Sequence, residues 1–175
     1  MKPKEGCGMN KYLKWLGIPV VIVACLLLWR LWPHSYPGIL PVDEDSVVSL
    51  SVFAGINDPA GYNVFYRMDD LPAQDEHLQN ITEIMHTSVY RQDFRNLLPW
   101  KIHEMFSDDN YDGQTVRLLY NPDDENGEYV AVDFISSSLI AVSVGEGNGF
   151  RFYHPANPET IGELLDYLRL YARVG

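Results

Sequence analysis

Cysteine is almost missing from this chain of 175 residues: Cys7 and Cys25 are the only two, and nothing after residue 25 carries a thiol. A disulfide framework, a thiolate metal site and a cysteine nucleophile are thereby excluded from the body of the protein, which must stand on its hydrophobic core. Positive charge is scarce as well. Residues 36–175 hold 8 Lys+Arg against 23 Asp+Glu, a formal charge of −15. Nucleic acid is excluded as a partner by that balance, and the domain as a whole repels anionic lipid.

The motifs of common catalysts are also missing. There is no His-Glu-x-x-His, no nucleophile-elbow serine, no internal repeat and no low-complexity run. The histidines, His34, His77, His86, His103 and His154, show no paired metal spacing and read as surface or capping residues. A non-catalytic domain is therefore expected. A cell-envelope hydrolase is the alternative, and it requires His103 or His154 to meet carboxylates in a cleft.

What the chain does have is a long apolar run, "VIVACLLLWRLW" at 21–32. Trp15 to Trp29 is uncharged, and extension to Trp32 admits only Arg30, whose stem can reach the headgroups. Eighteen helical residues reach roughly 27 Å, enough for a thin bilayer. No polar stripe marks it as a soluble core helix. Pro19 is expected in the first helical turn, with Trp15, Trp29 and Trp32 as interfacial anchors. Lys2, Lys4, Lys11 and Lys14 precede the run, whereas Asp43, Glu44 and Asp45 follow it, which places the amino terminus in the cytosol.

The expectation is an uncleaved, single-pass signal-anchor: a cytosolic tail over 1–12, a transmembrane helix over 13–32, a Pro-rich linker over 33–45 and an extracytoplasmic domain over 46–173. Lipidation is an alternative, because Ile22-Val23-Ala24-Cys25 resembles a lipobox with Cys25 as the acceptor. Against it, Leu26 to Trp29 prolong the apolar run where a mature lipoprotein turns polar. The same run is also compatible with a cleaved signal sequence or with a buried helix of a soluble fold.

Beyond the linker, period-two alternation dominates. Val48, Leu50 and Val52 are expected on one face of a first strand, with Ser49 and Ser51 on the other, and a turn at 57–61 leads to a second strand near 62–67. Leu78, Ile81, Ile84 and Met85 predict a helix over about 74–86, and a short strand follows near 88–94. Four alternating segments then imply a meander: Val116/Leu118/Tyr120, Val130/Val132/Phe134, Ile140/Val142/Val144 and Phe150/Phe152. Asn157 and Pro158 open a last helix with its apolar stripe at Ile161, Leu164, Leu165, Leu168 and Tyr171, and with Arg169 and Arg173 near its end. The fold class is α+β, a two-layer domain with a mostly antiparallel sheet and two helices over one face.

Two candidate sites emerge. Asp108, Asn110, Asp112 and Gly113 match positions 1, 3, 5 and 6 of a calcium loop, but position 12 is Leu119 instead of a bidentate glutamate. The pattern allows at most a weak calcium site, and hence a calcium-responsive domain as a second alternative function. No other cofactor is implied. The other candidate is the second alternating set of the meander, where Arg117, Tyr129, Asp133, Arg151 and Tyr153 would form a partner-binding face, either open or covered by the 95–113 segment.

A lysine-led anchor, a Pro-rich spacer, the opening strand "VVSLSVF" and the terminal helix "PETIGELLDYLRLYA" together resemble small membrane-anchored proteins of Gram-positive bacteria with an extracytoplasmic α+β domain. The resemblance implies a location at the cell membrane and carries no site residues. The functional expectation is an interaction domain that binds a protein or cell-envelope partner, tethered to the lipid bilayer through residues 13–32.

Overall fold

The computed structural model describes residues 9–30, 32–57, 63–98, 105–106, 114–123, 128–145 and 148–175; within the first helix, side chains are described from Ile18 to Trp29. The chain divides into two compact units, Met1–Trp32 and Pro33–Gly175.

The first unit contains helix α1, Met9–Arg30. It begins earlier than the apolar run, so Pro19 lies in its interior rather than in its first turn. There proline removes one i→i−4 hydrogen bond. All twelve described side chains are exposed, from 41% at Leu27 to 75% at Trp29 among the large apolar ones. Among the described residues, no helix is long and apolar enough to cross a membrane.

The second unit is α+β. Its strands are β1 (Val47–Asn57), β2 (Asn63–Pro72), β3 (Tyr90–Gln92), β4 (Thr115–Pro122), β5 (Val130–Ser136), β6 (Leu139–Val144), β7 (Asn148–Pro155) and β8 (Arg173–Val174). They form one antiparallel sheet in the order β3-β7-β6-β5-β4-β1-β2-β8. The meander β4–β7 and the β1–β2 hairpin follow from period-two alternation. The insertion of β1 between β4 and β2 is a long-range pairing that no local pattern announces.

Three helices cover one face: α2 (Tyr36–Ile39), α3 (Glu76–His86) and α4 (Glu159–Tyr171). Asp75 caps α3 by accepting from the His77 N–H at 2.7 Å, and the Asn157 side chain accepts from the Glu159 N–H at the start of α4. Ile81 and Met85 of α3 and Ile161, Leu164 and Leu168 of α4 pack on Leu50, Val52, Val116, Leu118, Val132 and Ile140 of the sheet. Each such buried side chain contributes about 1.5–3 kcal/mol, and this layer is the main core.

Four further expectations need correction. The 33–45 segment is not a free linker. His34 exchanges both backbone hydrogen bonds with Tyr90, at 2.8 and 2.7 Å, and Tyr36, Ile39 and Leu40 are buried in the main core. Tyr36, Ile39 and Leu40 have i, i+3, i+4 spacing, the signature of a helical turn with one apolar face. A register shift between Val47 and Ser49 in β1 buries Val47 and leaves Val48 51% exposed, so Val48 does not share a face with Leu50. Arg173 lies in β8 opposite Arg67, not in the last turn of α4.

The fourth correction concerns β7. Ile140 pairs with Tyr153, Ala141 with Phe152 and Val142 with Arg151, so Tyr153 and Arg151 share the helix-covered face while Phe152 points to the other. Tyr153 accordingly belongs to the main core, and Phe152 to a second cluster with Met105, Ile135, Leu139 and Ala141. Both faces of β7 are apolar, so alternation alone cannot choose between registers that differ by one residue.

Candidate functional site

The face of the sheet opposite the helices is, among the described residues, closed at one end and open at the other. At the closed end Phe106 packs edge-to-face on Phe150 and Phe152, with ring centroids 5.0 and 5.3 Å away, above the cluster of Met105, Ile135 and Leu139. At the open end lies a groove of about 880 Å3 over β1, β2, β4 and β5.

Strand pairing sets its floor. Arg67, Phe53, Arg117 and Asp133 stand in one row across β2, β1, β4 and β5, because each is the direct partner of the next. The adjacent row is Phe65, Gly55 and Thr115. Gly55 lies between two larger neighbours: a Cβ there would come 2.9 Å from Thr115 Oγ1 and 3.3 Å from Asn63 Oδ1. The space a Cβ would fill is taken by these neighbours, and the groove is walled by Phe53, Phe65, Phe106 and Ile135.

The charges in this groove are tied to one another. Arg117 donates to Asp133 through two bonds, Nε–Oδ1 at 2.5 Å and Nη2–Oδ2 at 3.2 Å. The bond to Asp133 raises the Arg117 guanidinium above its ordinary value, against an opposing effect of burial. Arg67 is bonded to Asp69 and lies over the Phe53 ring, 5.5 Å from its centroid. The groove is thus an aromatic surface crossed by paired charges. It offers apolar contact area with a few fixed polar handles, the usual constitution of a binding surface.

Of the five residues expected on a partner face, Arg117 and Asp133 line this groove, and Tyr129 does not. Arg151 and Tyr153 are on the opposite face, as the register of β7 dictates. Phe53, Gly55, Phe65, Arg67 and Phe106 were missed. The available signal was the second set of β1, Ser49-Ser51-Phe53-Gly55, which turns from polar to aromatic where the groove begins.

Asp108, Asn110, Asp112 and Gly113 lie outside the described residues, as does His103. Among the described residues, no group of three or more His, Cys, Asp or Glu is placed to hold a metal ion. Cys25, the lipidation alternative, is exposed on α1.

His154 does meet a carboxylate, but in an arrangement unsuited to hydrolysis. Its Nε2 is 2.7 Å from Asp93 Oδ2 and its Nδ1 is 2.7 Å from the Ser138 carbonyl oxygen. Neither nitrogen is left to activate a nucleophile. Asp93 is only 4% exposed and also accepts from Arg95, through its backbone N–H at 2.7 Å and its Nη2 at 2.7 Å. Burial alone would raise this carboxyl. The Arg95 and His154 bonds outweigh burial and hold it at about 2. The cluster ties the end of β3 to β7 and to the β5–β6 corner.

A trio of buried tyrosines sits on the helix-covered side. The hydroxyls of Tyr36 and Tyr120 are 2.6 Å apart, and that of Tyr90 donates to the Met85 carbonyl at 2.8 Å. Burial raises all three phenols, so they remain protonated and structural.

No protein-family model, curated protein or solved structure matches the chain.

Proposed function

We propose that the protein is a single-pass, membrane-anchored interaction module, amino terminus in the cytosol, whose extracytoplasmic α+β domain binds a protein or cell-envelope partner through the open face of its sheet. The observation that carries the reading is the groove over Gly55, with Phe53 36%, Phe106 47% and Phe65 61% exposed beside it. Three exposed aromatics along one groove form an apolar patch, the kind of surface that marks an interaction site. The anchor is supported by the uncharged Trp15–Trp29 run and by apolar side chains exposed all round α1. A non-catalytic role is supported by His154, whose two ring nitrogens are both engaged by acceptors.

The test is site-specific photocrosslinking of the full chain in its native membranes. A photoreactive phenylalanine in place of Phe65 should give a discrete adduct. The same residue in place of Leu170, 76% exposed on α4 away from the groove, should not. Recovery of the protein wholly in the soluble fraction would refute the anchor, and equal labelling from both positions would refute the groove.

A further inference from the structure

The chain enters its folded domain at the β3 edge of the sheet. Pro33 is the first residue of the second unit, and His34 is bonded through both its N–H and its C=O to Tyr90 of β3. Tyr36, two residues on, is fully buried with its hydroxyl on Tyr120. The entry point is therefore fixed by the core and, through a single peptide bond, follows directly on Trp32. If the preceding helix is in a bilayer, as proposed above, the chain reaches this edge within two residues of Trp32.

The edge differs in chemistry from the rest of the domain. Segments 33–40, 88–98 and 148–157 meet there and contain Arg91, Arg95 and Arg151 against one acid, Asp93. Residues 36–175 as a whole have 8 Lys+Arg and 23 Asp+Glu. Asp93 is buried under Arg95 and His154 and shows no charge to solvent. On either side of β3, Val89 is 45% and Phe94 60% exposed. The Asp93 N–H bonds to the Phe152 carbonyl, and the ladder ends there: Phe94 opens a 3-10 turn, Phe94–Leu97, that the Asp93 side chain caps. From Tyr90 to Phe94 is four residues, about 13 Å of extended chain.

We infer that the β3 edge docks on the anionic headgroup layer of the bilayer, with Phe94 and Val89 in the interfacial zone and Arg91 and Arg151 on lipid phosphates. Aromatic side chains settle at the level of the headgroups, and guanidinium groups bind phosphate oxygens in pairs. An anionic leaflet attracts this edge and repels the acidic remainder of the domain, so one field both docks and orients it. The open groove, at the other end of the sheet order, then stays accessible to its partner.

The inference rests on the membrane reading, and the two are separable with one preparation. The full chain, with Cys7→Ser and Cys25→Ser, is reconstituted in phosphatidylglycerol/phosphatidylcholine vesicles that carry a headgroup spin label. A fluorophore is placed at Phe94→Cys or at Phe65→Cys, positions matched in exposure at 60% and 61%. Flotation with the vesicles reports the anchor. Quenching should then be several-fold stronger at 94 than at 65, and Arg91→Glu with Arg151→Glu should abolish the difference. Flotation with equal quenching at the two positions would overturn docking alone; failure to float would remove the anchor and docking together.

Discussion

Replacing Asp93 by asparagine tests whether a buried carboxylate holds the β3 end of the sheet in place. The side chain is nearly isosteric, but it loses the charge on which Arg95 and His154 converge. In the native protein the carboxyl is held at about 2, against 3.8 for the free side chain. That displacement corresponds to about 2.5 kcal/mol of stability at neutral pH, an upper figure because Arg95 and His154 can turn to water once released. The sign follows from the direction of the shift. A depressed carboxyl stabilises the folded state fully above the unfolded value near 4, and the contribution fades as the pH falls through the native value near 2. At pH 3 about half of it remains. Urea unfolding of the full chain in detergent should therefore show Asp93→Asn about 2 kcal/mol less stable than the parent at pH 7, with the gap roughly halved at pH 3. The other carboxylates titrate in both proteins and cancel. A gap that is absent at pH 7, or unchanged between pH 7 and pH 3, would refute the reasoning.

Two further substitutions probe the core by the same unfolding assay. Tyr36→Phe and Tyr120→Phe should each cost about 1–3 kcal/mol, because each leaves the other hydroxyl buried without its partner, and the double variant should cost at least about 1 kcal/mol less than their sum; strict additivity would mean the 2.6 Å contact is energetically idle. Tyr153→Asp should destabilise by about 3 kcal/mol or more, whereas Arg151→Asp two residues earlier should stay within about 0.5 kcal/mol; a harmless Tyr153→Asp would return that residue to the open face and contradict the register of β7.

The parts of the fold that local patterns could reveal were those in which one face was clearly apolar and the other was not. Strands β4 to β6 and helices α3 and α4 meet that condition, and each lies within a few residues of its expected place. The pattern failed where that contrast disappears. In β7, Phe150 and Phe152 are as apolar as Tyr153, so the strand was assigned to the wrong face. In β1 the shift between Val47 and Ser49 exchanged two identical valines. Residues 36–40 looked like a spacer because prolines and a glycine obscure a buried turn built on Tyr36, Ile39 and Leu40. The groove was half legible. Arg117 and Asp133 belong to the meander and could be paired by neighbouring alternation, but Phe53 and Phe65 join them only because β1, besides its hairpin partner β2, pairs with β4, fifty-eight or more residues later in the chain.

The outer strands of the sheet have a bearing on how copies of this protein can coexist. At one border β3 has three residues, and at the other β8 has two. Where β8 stops, β2 continues with Asp69 and then Asp70, whose φ of 47° turns the backbone and whose N–H is taken by Ser51 Oγ. Among the described residues, a neighbour seeking to extend the sheet would find short strands at both borders and, beside β8, a kink and negative charge. Such borders disfavour strand-to-strand addition, so copies held side by side are less prone to zip into one another.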